Sequence, residues 1–173
     1  DRSADMLAVA RARHADVTFH QADMIDFELP RRFDAILCLF GGIGYARTVA
    51  NLRTVLQRFS DQLLPGGVAI VDCWYGPDQW RDVALHATLV DRPDLKVARI
   101  SRNTRDGLLS ILEMHHVVAT PSGVDSYVER HELGLFTRQQ YQDAFAHAGL
   151  APTYEPEAAG HRGRFIGVAM PVR

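Results

Sequence analysis

Two short apolar segments joined by one amphipathic stretch place the strongest limit on the fold of this chain. Residues 33–40 and 68–72 are almost continuously apolar, as strands are when both faces of a parallel sheet are covered. Between them, from about residue 49 to residue 64, apolar side chains recur at helical spacing, and a Pro-Gly-Gly turn at 65–67 then stops the helix. Because parallel strands need a crossover that is usually a helix, this region predicts an open α/β sheet.

The residues before the first apolar segment continue this alternation. Ser3 is a good helix N-cap, and the side chains behind it predict a helix from about residue 4 to residue 13. Residues 17–19 are β-rich and predict a short strand, which a polar loop over 20–24 follows. Residues 1–73 therefore read as helix, strand, loop, strand, helix and strand, the order expected of an α/β fold.

The pattern changes after residue 80. Turn signals separate four β-like segments, which are residues 87–90, 96–102, 110–119 and 126–136. We expect a small antiparallel sheet, called the platform below, over residues 81–136, inserted into an α/β core of residues 1–80 and 137–173. The remaining core elements are a helix from Thr137, its cap, to about His147, strands near 153–154 and 165–169, and a glycine-rich loop at 160–163.

Composition excludes several classes of protein. The 173 residues carry 19 Lys and Arg against 21 Asp and Glu, a formal net charge of -2, which argues against binding nucleic acid through bulk electrostatics. No apolar run approaches the roughly 18 residues that a transmembrane helix needs. Cys38 and Cys73 lack the spacing of metal motifs, and His115, His116 and His131 form no recognised ligand pattern. We therefore expect a cytoplasmic protein with no metal, no nucleic-acid partner and no membrane partner.

Polar, glycine-rich and aromatic residues collect after three predicted strands. Asp23 and Met24 follow the first strand, residues 41–45 follow the second, and residues 72–75 follow the third. In open α/β sheets, ligands bind outside the carboxyl ends of the strands. These segments predict a site for a nucleoside-like ligand; the alternative is that they are ordinary loops, which are commonly polar and glycine-rich.

Several short motifs occur in the order and spacing of one large enzyme family. They are the run Asp1 to Arg11, the loop His20 to Met24, the segment Arg32 to Phe40 and the turn Leu63 to Gly67. In turn they resemble the second-strand acid with its following helix, the adenine loop, the fourth strand and the turn before the fifth strand of class I S-adenosylmethionine-dependent methyltransferases. The resemblance implies their Rossmann-like α/β fold, with S-adenosylmethionine as the cofactor.

Motifs in the second half are similar to those of a narrower group. They are Phe40 to Tyr45, Trp74 to Pro77, Arg105 to Gly107, Glu113 to His115, Leu135 to Tyr141 and Arg162 to Val168. In this order they resemble the N,N-dimethyltransferases that act on TDP-linked 3-amino-deoxysugars in the desosamine and mycaminose pathways of antibiotic biosynthesis. The resemblance implies N-methylation of a nucleotide-linked amino sugar, and a homodimer to whose interface the platform contributes.

The resemblance also assigns residues to the cofactor. Asp1 matches the acid that hydrogen-bonds the ribose diol, with Arg2 beside it, and Asp23 matches the acceptor for the adenine amino group. The remaining cofactor residues are Ala22 and Met24, which flank Asp23, and Phe40 and Gly41, which would lie beside the sulfonium. Alternatively, Asp1 is a disordered terminal residue and Asp23 an ordinary turn or cap residue.

The acceptor side of the predicted site has Tyr45 and Asp72 as its catalytic candidates. The family has a His or Tyr at the position of Tyr45, which would orient the amine, since a phenol with an ordinary pKa of roughly 10 is a poor base at neutral pH. Asp72 would hold an ammonium or a sugar hydroxyl. The substrate candidates are Trp74, Tyr75, His131 and Arg162, of which the arginine would bind a diphosphate through paired hydrogen bonds.

One departure from the family concerns its glycine-rich first motif. The glycines at 41, 42 and 44 follow the wrong strand to be that motif. The resemblance therefore implies an N-terminally truncated methyltransferase sheet, as in a fragment of a longer enzyme. Two alternatives stay open: a class I methyltransferase for another small-molecule acceptor, and a non-catalytic fragment unable to bind cofactor. A nucleotide-binding oxidoreductase is disfavoured because no dinucleotide fingerprint is present.

Overall fold

The computed structural model describes residues 1–81 and 83–170. Residues 82 and 171–173, which fall inside the predicted platform and core ranges, lie outside the described residues. The described chain forms two four-stranded sheets. In chain order its elements are α1 (Ala4–Arg13), β1 (Phe33–Cys38), a 3-10 turn (Gly42–Ala46), α2 (Val49–Asp61), β2 (Leu63–Asp72), β3 (Ala84–Arg92), β4 (Leu95–Asp106), β5 (Leu109–Thr120), β6 (Gly123–Gly134), α3 (Arg138–His147), β7 (Leu150–Glu155), a single helical turn (Ala158–His161) and β8 (Arg164–Ala169).

The first sheet is mixed, with the strand order β1-β2-β8-β7. β1 and β2 are parallel, as their apolar sequences predict, whereas β8 is antiparallel to both β2 and β7. The crossover between the parallel pair is α2, whose N-cap Thr48 accepts a hydrogen bond from the Asn51 amide at 3.2 Å. The parallel pair therefore ends at one edge of the sheet, where the predicted ligand site lies.

The core of this sheet is packed by α2 and α3. Leu52, Val55 and Leu56 of α2 have no exposed surface, and Phe145 of α3 has none either. Phe145 stacks on Phe165 of β8, with ring centroids 5.3 Å apart. Each side chain of this size stabilises the fold by about 1.5–3 kcal/mol when it is fully buried. These contacts hold the strands, and hence the strand ends, in place.

The second sheet is the platform, an antiparallel meander with the strand order β3-β4-β5-β6. Each pair of successive strands is joined by two residues, and β4, β5 and β6 each contain 12 residues. Such hairpins form from neighbouring stretches of chain and need few distant contacts. The inserted antiparallel sheet predicted from the sequence is thus confirmed, with longer strands than the β-like segments alone indicated.

The platform joins the core at Trp74, just after β2. The Trp74 indole N–H donates to Ser110 Oγ of β5 at 2.8 Å, and that hydroxyl donates to the Leu133 carbonyl of β6 at 3.0 Å. A Cβ on Gly44 would lie 3.0 Å from side-chain atoms of both Leu133 and Trp74. The two sheets therefore approach at a glycine, with a fully buried serine linking them.

Three local predictions are wrong. Residues 17–19 form no strand, because the described residues place no strand beside them to complete a hydrogen-bonded ladder. The helix predicted to about residue 64 ends at Asp61, since Leu63 already pairs with Phe33 of β1. β1 is an edge strand of the described sheet, and Leu37 is 58% exposed. This strand is therefore buried on one face only, not on two as its apolar sequence predicts.

Asp72 ties together the ends of three strands. It is the last residue of β2, and only 5% of it is exposed. One carboxylate oxygen accepts from the Phe40 amide, just beyond β1, at 3.0 Å, and the other accepts from Arg164 Nε at the start of β8, at 2.7 Å. Burial by itself raises the pKa of Asp72, but these two hydrogen bonds and the charges of Arg164 and Arg162 together lower it below its ordinary value.

Replacing Asp72 with Asn should lower the free energy of unfolding at neutral pH by about 1–3 kcal/mol, because the charge is lost and the amide NH₂ cannot accept the hydrogen bond of the oxygen that it replaces. A carboxyl whose folded-state pKa is depressed stabilises the fold above its unfolded pKa of roughly 4, and this contribution is lost as the pH falls through the folded value. In urea unfolding curves, the difference between wild type and Asp72→Asn should be complete at about pH 7 and shrink below about pH 4. The exposed Asp34→Asn is the control, and a difference for Asp72→Asn that is independent of pH would contradict the prediction.

Candidate active site

The loop after α1 brings predicted cofactor residues into one cluster. Asp23 Oδ2 lies 3.3 Å from Arg2 Nε, and the Asp1 carbonyl accepts from the Ala22 amide at 3.1 Å. Asp23 Oδ1 accepts from the Ile25 amide at 3.1 Å, an Asx turn that orients the carboxylate. Asp1 and Arg2 are therefore neighbours of Ala22 and Asp23, although at least 20 positions separate the two pairs in the sequence. Two of these four residues carry carboxylates.

The side chains of Asp1 and Met24 complete this cluster. One Asp1 carboxylate oxygen accepts from the Ser3 amide at 2.8 Å, at the start of α1. The second oxygen has no hydrogen bond to the described residues and can accept from a hydroxyl group. Met24 is half-buried and packs against the core beneath the loop. The cluster thus has an apolar floor and a free carboxylate oxygen at its rim.

The turn after β1 has a left-handed backbone at two consecutive residues. Phe40 has a φ of 58° and Gly41 a φ of 77°, and this region is costly for a residue with a large side chain. The hydrogen bond from the Phe40 amide to Asp72 holds the turn. In this turn Phe40 is 84% exposed. A Cβ on Gly41 would lie 2.7 Å from the Trp74 ring, so the turn passes close to Trp74. Backbone strain of this kind is concentrated at functional sites.

Tyr45 and His131 meet across the boundary between the two sheets. The Tyr45 hydroxyl lies 2.7 Å from His131 Nδ1, although 86 positions separate the residues in the sequence. Burial, followed by the negative charge of Glu129, raises the pKa of Tyr45 above its ordinary value. One predicted catalytic residue of the core is thus bonded directly to a predicted substrate residue of the platform.

An aromatic cluster lies beside Arg162. Trp74, Tyr75 and Trp80 contact one another, with ring centroids 5.0 to 6.2 Å apart. The Arg162 guanidinium carbon lies 5.6 Å from the ring centroids of both Trp74 and Tyr75, which is cation–π range. The buried Nε of Arg162 and the buried indole N–H of Trp80 have no hydrogen-bond partner among the described residues. This cluster therefore holds two buried donors with no partner among the described residues, and one of them belongs to an arginine that lines the adjoining cavity.

A cavity of about 530 Å³ opens next to this cluster. Its walls include Trp74 and Arg162 together with Tyr154 and Arg138, and the Arg138 guanidinium carbon stands 4.5 Å from the Tyr154 ring centroid. A second groove, of about 430 Å³, lies at the opposite ends of β1 and β2, and none of the predicted site residues lines it. Of the predicted site residues, Trp74 and Arg162 therefore line the first cavity, and none lines the second.

The structure places Asp72 between the two parts of the site, with both carboxylate oxygens bonded to the protein itself. This geometry favours a positioning role for Asp72 over the direct contact with an ammonium or a sugar hydroxyl that the sequence suggested. Sequence reasoning did not identify Arg164, Ser110 or Glu129. The motif that contains Arg162 also contains Arg164, and this was the signal that could have found it; no sequence signal singles out the other two.

Two further properties concern the described residues as a whole. In residues 1–81 and 83–170, no helix is both long enough and apolar enough to cross a membrane. Within the same ranges, no group of three or more His, Cys, Asp or Glu side chains is arranged to hold a metal ion.

Comparison with known proteins identifies the family. A model of a methyltransferase domain matches residues 1–67. The chain is 40% identical over 167 residues to the dTDP-3-amino-3,6-dideoxy-alpha-D-glucopyranose N,N-dimethyltransferase of Streptomyces fradiae, covering 96% of this chain and 66% of that protein. It is 39% identical over 167 residues to the dTDP-3-amino-3,4,6-trideoxy-alpha-D-glucopyranose N,N-dimethyltransferase of Streptomyces venezuelae, covering 96% and 70%.

Solved structures agree with these matches. The chain superposes on SAM-bound CalS10, an amino pentose methyltransferase from Micromonospora echinaspora involved in calicheamicin biosynthesis, with a TM-score of 0.86 and 34% identity. That match covers 98% of this chain and 72% of CalS10.

The chain spans about two thirds of the length of the curated relatives it matches, 66% and 70% of the two Streptomyces proteins. Because the matches cover 96% of this chain, the shared region takes in both the core sheet and the platform. The chain therefore belongs to the class I S-adenosylmethionine-dependent methyltransferases, in the family of the dTDP-amino-sugar N,N-dimethyltransferases.

Proposed function

We propose that the full-length protein transfers methyl groups from S-adenosylmethionine to the amino group of a nucleotide-linked deoxysugar. The observation that carries the proposal is the aromatic cavity beside Arg162, whose buried Nε has no partner among the described residues. Guanidinium groups are well suited to phosphate oxygens, and aromatic walls suit a sugar or a base. The dTDP-linked amino sugars in the names of the curated relatives support this substrate class.

The acceptor oxygens of the carboxylate cluster fit the cofactor. The free oxygen of Asp1 suits a ribose hydroxyl, and Asp23 suits an adenine amino group, because carboxylates only accept hydrogen bonds and both of these groups donate. The other proposed cofactor contacts are Arg2, Ala22, Met24, Phe40 and Gly41. When bound, S-adenosylmethionine supplies an electrophilic methyl group on its sulfonium.

The contribution of the protein is alignment. Methyl transfer to an amine needs the nitrogen in line with the bond that breaks, and holding the two groups together removes most of the entropic barrier. We assign Tyr45 to the amine, since Tyr45 is 43% exposed and His131 holds its hydroxyl in place. We propose that Asp72 supports both the cofactor and the acceptor, because it holds the turn at Phe40 on one side and Arg164 on the other.

We assign the nucleotide part of the acceptor to the aromatic cavity. Trp74 and Tyr75 would pack against the sugar or the base, and Arg162 would bind the diphosphate. A diphosphate would supply an acceptor for the buried Nε of Arg162, which lies beside both aromatic rings. Both proposed substrates are charged metabolites of the cell interior, and we place the protein in the cytoplasm on that ground.

The full-length protein should methylate a TDP-linked 3-amino sugar in the presence of S-adenosylmethionine, as mass spectrometry of the products would show. Arg162→Gln should raise the KM for that acceptor by about 10- to 100-fold, the equivalent of one lost charge-assisted hydrogen bond. Arg99→Gln, an exposed arginine of the platform, is the matched control and should leave the KM unchanged. No transfer to any nucleotide-linked amino sugar would overturn the substrate assignment, and transfer to a hydroxyl or simple amine instead would show another acceptor class.

Asp23→Ala should weaken binding of S-adenosylhomocysteine to the full-length protein by about 10-fold or more, because the adenine amino group loses a charged acceptor. Isothermal titration calorimetry measures this directly. Asp26→Ala removes an exposed carboxylate three residues along the same loop and should leave the affinity unchanged. Equal affinities for wild type and Asp23→Ala would remove Asp23 from the site.

We also propose that the platform mediates a homodimer. Six apolar side chains that are 46% to 74% exposed share one face of this sheet, and they are Leu85, Leu89, Ile100, Val117, Val124 and Val128. They come from all four strands and face away from the core, whereas Ser110, His131 and Leu133 are on the other face. A second copy of the same apolar face would bury them by two-fold symmetry.

Leu89→Asp should shift the full-length protein from dimer to monomer in sedimentation velocity, because it would place a charge in the proposed apolar interface. His86→Asp lies on the same strand and the opposite face, and should leave the dimer intact. A wild-type protein that is monomeric at about 50 μM would contradict the proposal, since a specific interface of standard size holds at that concentration.

A further inference from the structure

The contact between Tyr45 and His131 continues into the platform. Tyr45 lies in the 3-10 turn after β1, and its hydroxyl is 2.7 Å from His131 Nδ1. On the far side of the ring, His131 Nε2 lies 3.7 Å from Glu129 Oε2, within ion-pair range. His116 Nε2 lies 3.3 Å from the same oxygen, but not in hydrogen-bonding alignment. Tyr45, His131 and Glu129 therefore form a row of titratable groups that leads from the turn after β1 onto one face of β6.

This row reaches water. Tyr45 is 43% exposed, the His131 side chain is 30% exposed, and that of Glu129 is 47% exposed. Glu129 and His131 are two positions apart on β6, so their side chains share the face that contacts the core. A proton that reaches His131 can thus leave to solvent without crossing the protein interior.

The partners of His131 determine its tautomer. Because the carboxylate of Glu129 can only accept, we assign the ring hydrogen to Nε2, which faces it; Nδ1 is then the acceptor nitrogen, and the Tyr45 hydroxyl donates to it. A Tyr45 hydroxyl whose proton is directed at His131 presents its lone pairs to other donors. An ammonium or amine N–H in the site is such a donor.

The proposed reaction releases one proton for each methyl group transferred, since an amine nitrogen exchanges an N–H bond for a new N–C bond. Tyr45 cannot store that proton as a base acting alone, because burial and Glu129 raise its pKa above the ordinary value and tyrosinate is not populated at neutral pH. A concerted relay avoids tyrosinate altogether, provided that the next group accepts a proton at neutral pH. Imidazole is the side chain suited to this.

We propose that the proton of the acceptor amine leaves the site through Tyr45 to His131, a positioning residue of the platform that Glu129 supports. The acceptor enters as its ammonium form, and one ammonium N–H proton moves to the Tyr45 oxygen while the proton of Tyr45 moves to His131 Nδ1. The electron pair of the broken N–H bond stays on nitrogen as the lone pair that methylation requires. The resulting imidazolium faces the carboxylate of Glu129 and then loses a proton to water. This inference rests on the proposed methyl transfer.

The decisive variant is His131→Asn. Its Oδ1 can take the place of Nδ1 and accept the Tyr45 hydrogen bond, but an amide cannot carry a proton. We expect kcat for methyl transfer by the full-length protein to fall by about 100-fold, a usual contribution of acid–base catalysis, with the acceptor KM within about twofold of wild type. Tyr45→Phe should cause a similar loss, and the double variant should be no worse than either single one, because the relay is already broken.

The matched control is His86→Asn, an exposed platform histidine of β3 that lies away from the proposed dimer face. It should leave kcat unchanged and shows the cost of losing a platform histidine as such. Glu129→Gln should lower kcat less than His131→Asn, since it removes only the charge that stabilises the imidazolium. If wild type is active and His131→Asn keeps kcat within about threefold, the relay is wrong while the proposed function stands. If wild type transfers no methyl group, both fall.

A measurement on the protein without substrate tests the geometry independently. In ¹⁵N NMR spectra, His131 should show an acceptor Nδ1 and a protonated Nε2 at neutral to alkaline pH, and Tyr45→Phe should shift the Nδ1 resonance. The resonances of His115 should not move. An Nδ1-protonated ring, or a spectrum that Tyr45→Phe does not change, would overturn the inference.

Discussion

The Asp72 carboxylate is the interaction on which the architecture of the site depends. It is charged and almost fully buried, and it accepts hydrogen bonds from the amide after β1 and from the guanidinium that opens β8. A buried charge is tolerated only when it is paired, so the three strand ends must stay together for the fold to persist. The left-handed turn at Phe40 and the position of Arg162, two residues before Arg164, both follow from this arrangement.

The site is built from two sheets with different physical origins. The core sheet depends on long-range packing of α2 and α3, whereas the platform is a meander closed by two-residue connections. They meet through a few specific contacts, which are Trp74 with Ser110, Gly44 with Leu133 and Tyr45 with His131. The core sheet thus supplies the proposed cofactor side, and the contact with the platform completes the proposed acceptor side.

Much of this fold could be predicted from local patterns. The parallel pair, its crossover helix and the antiparallel insert have the hydrophobic periodicity that their structures require, and the motif order indicated the family. Burial of β1 could not be predicted, because an apolar sequence does not reveal whether a neighbouring layer covers Leu37. Residues 17–19 likewise have the composition of a strand, but pairing depends on a neighbour and not on composition.

The candidate site was predictable one residue at a time, but its connections were not. Asp1 and Asp23 come together through α1 and the loop that returns from its end, so the segment that joins them is local, whereas Tyr45 and His131 are joined only by the docking of two sheets. That docking depends on Gly44, where a side chain would collide with Leu133 and Trp74. An alanine there would bring its Cβ to 3.0 Å from both residues, so the two sheets would have to separate by a few tenths of an ångström, and the contact between the tyrosine and the histidine would weaken without a change in either one.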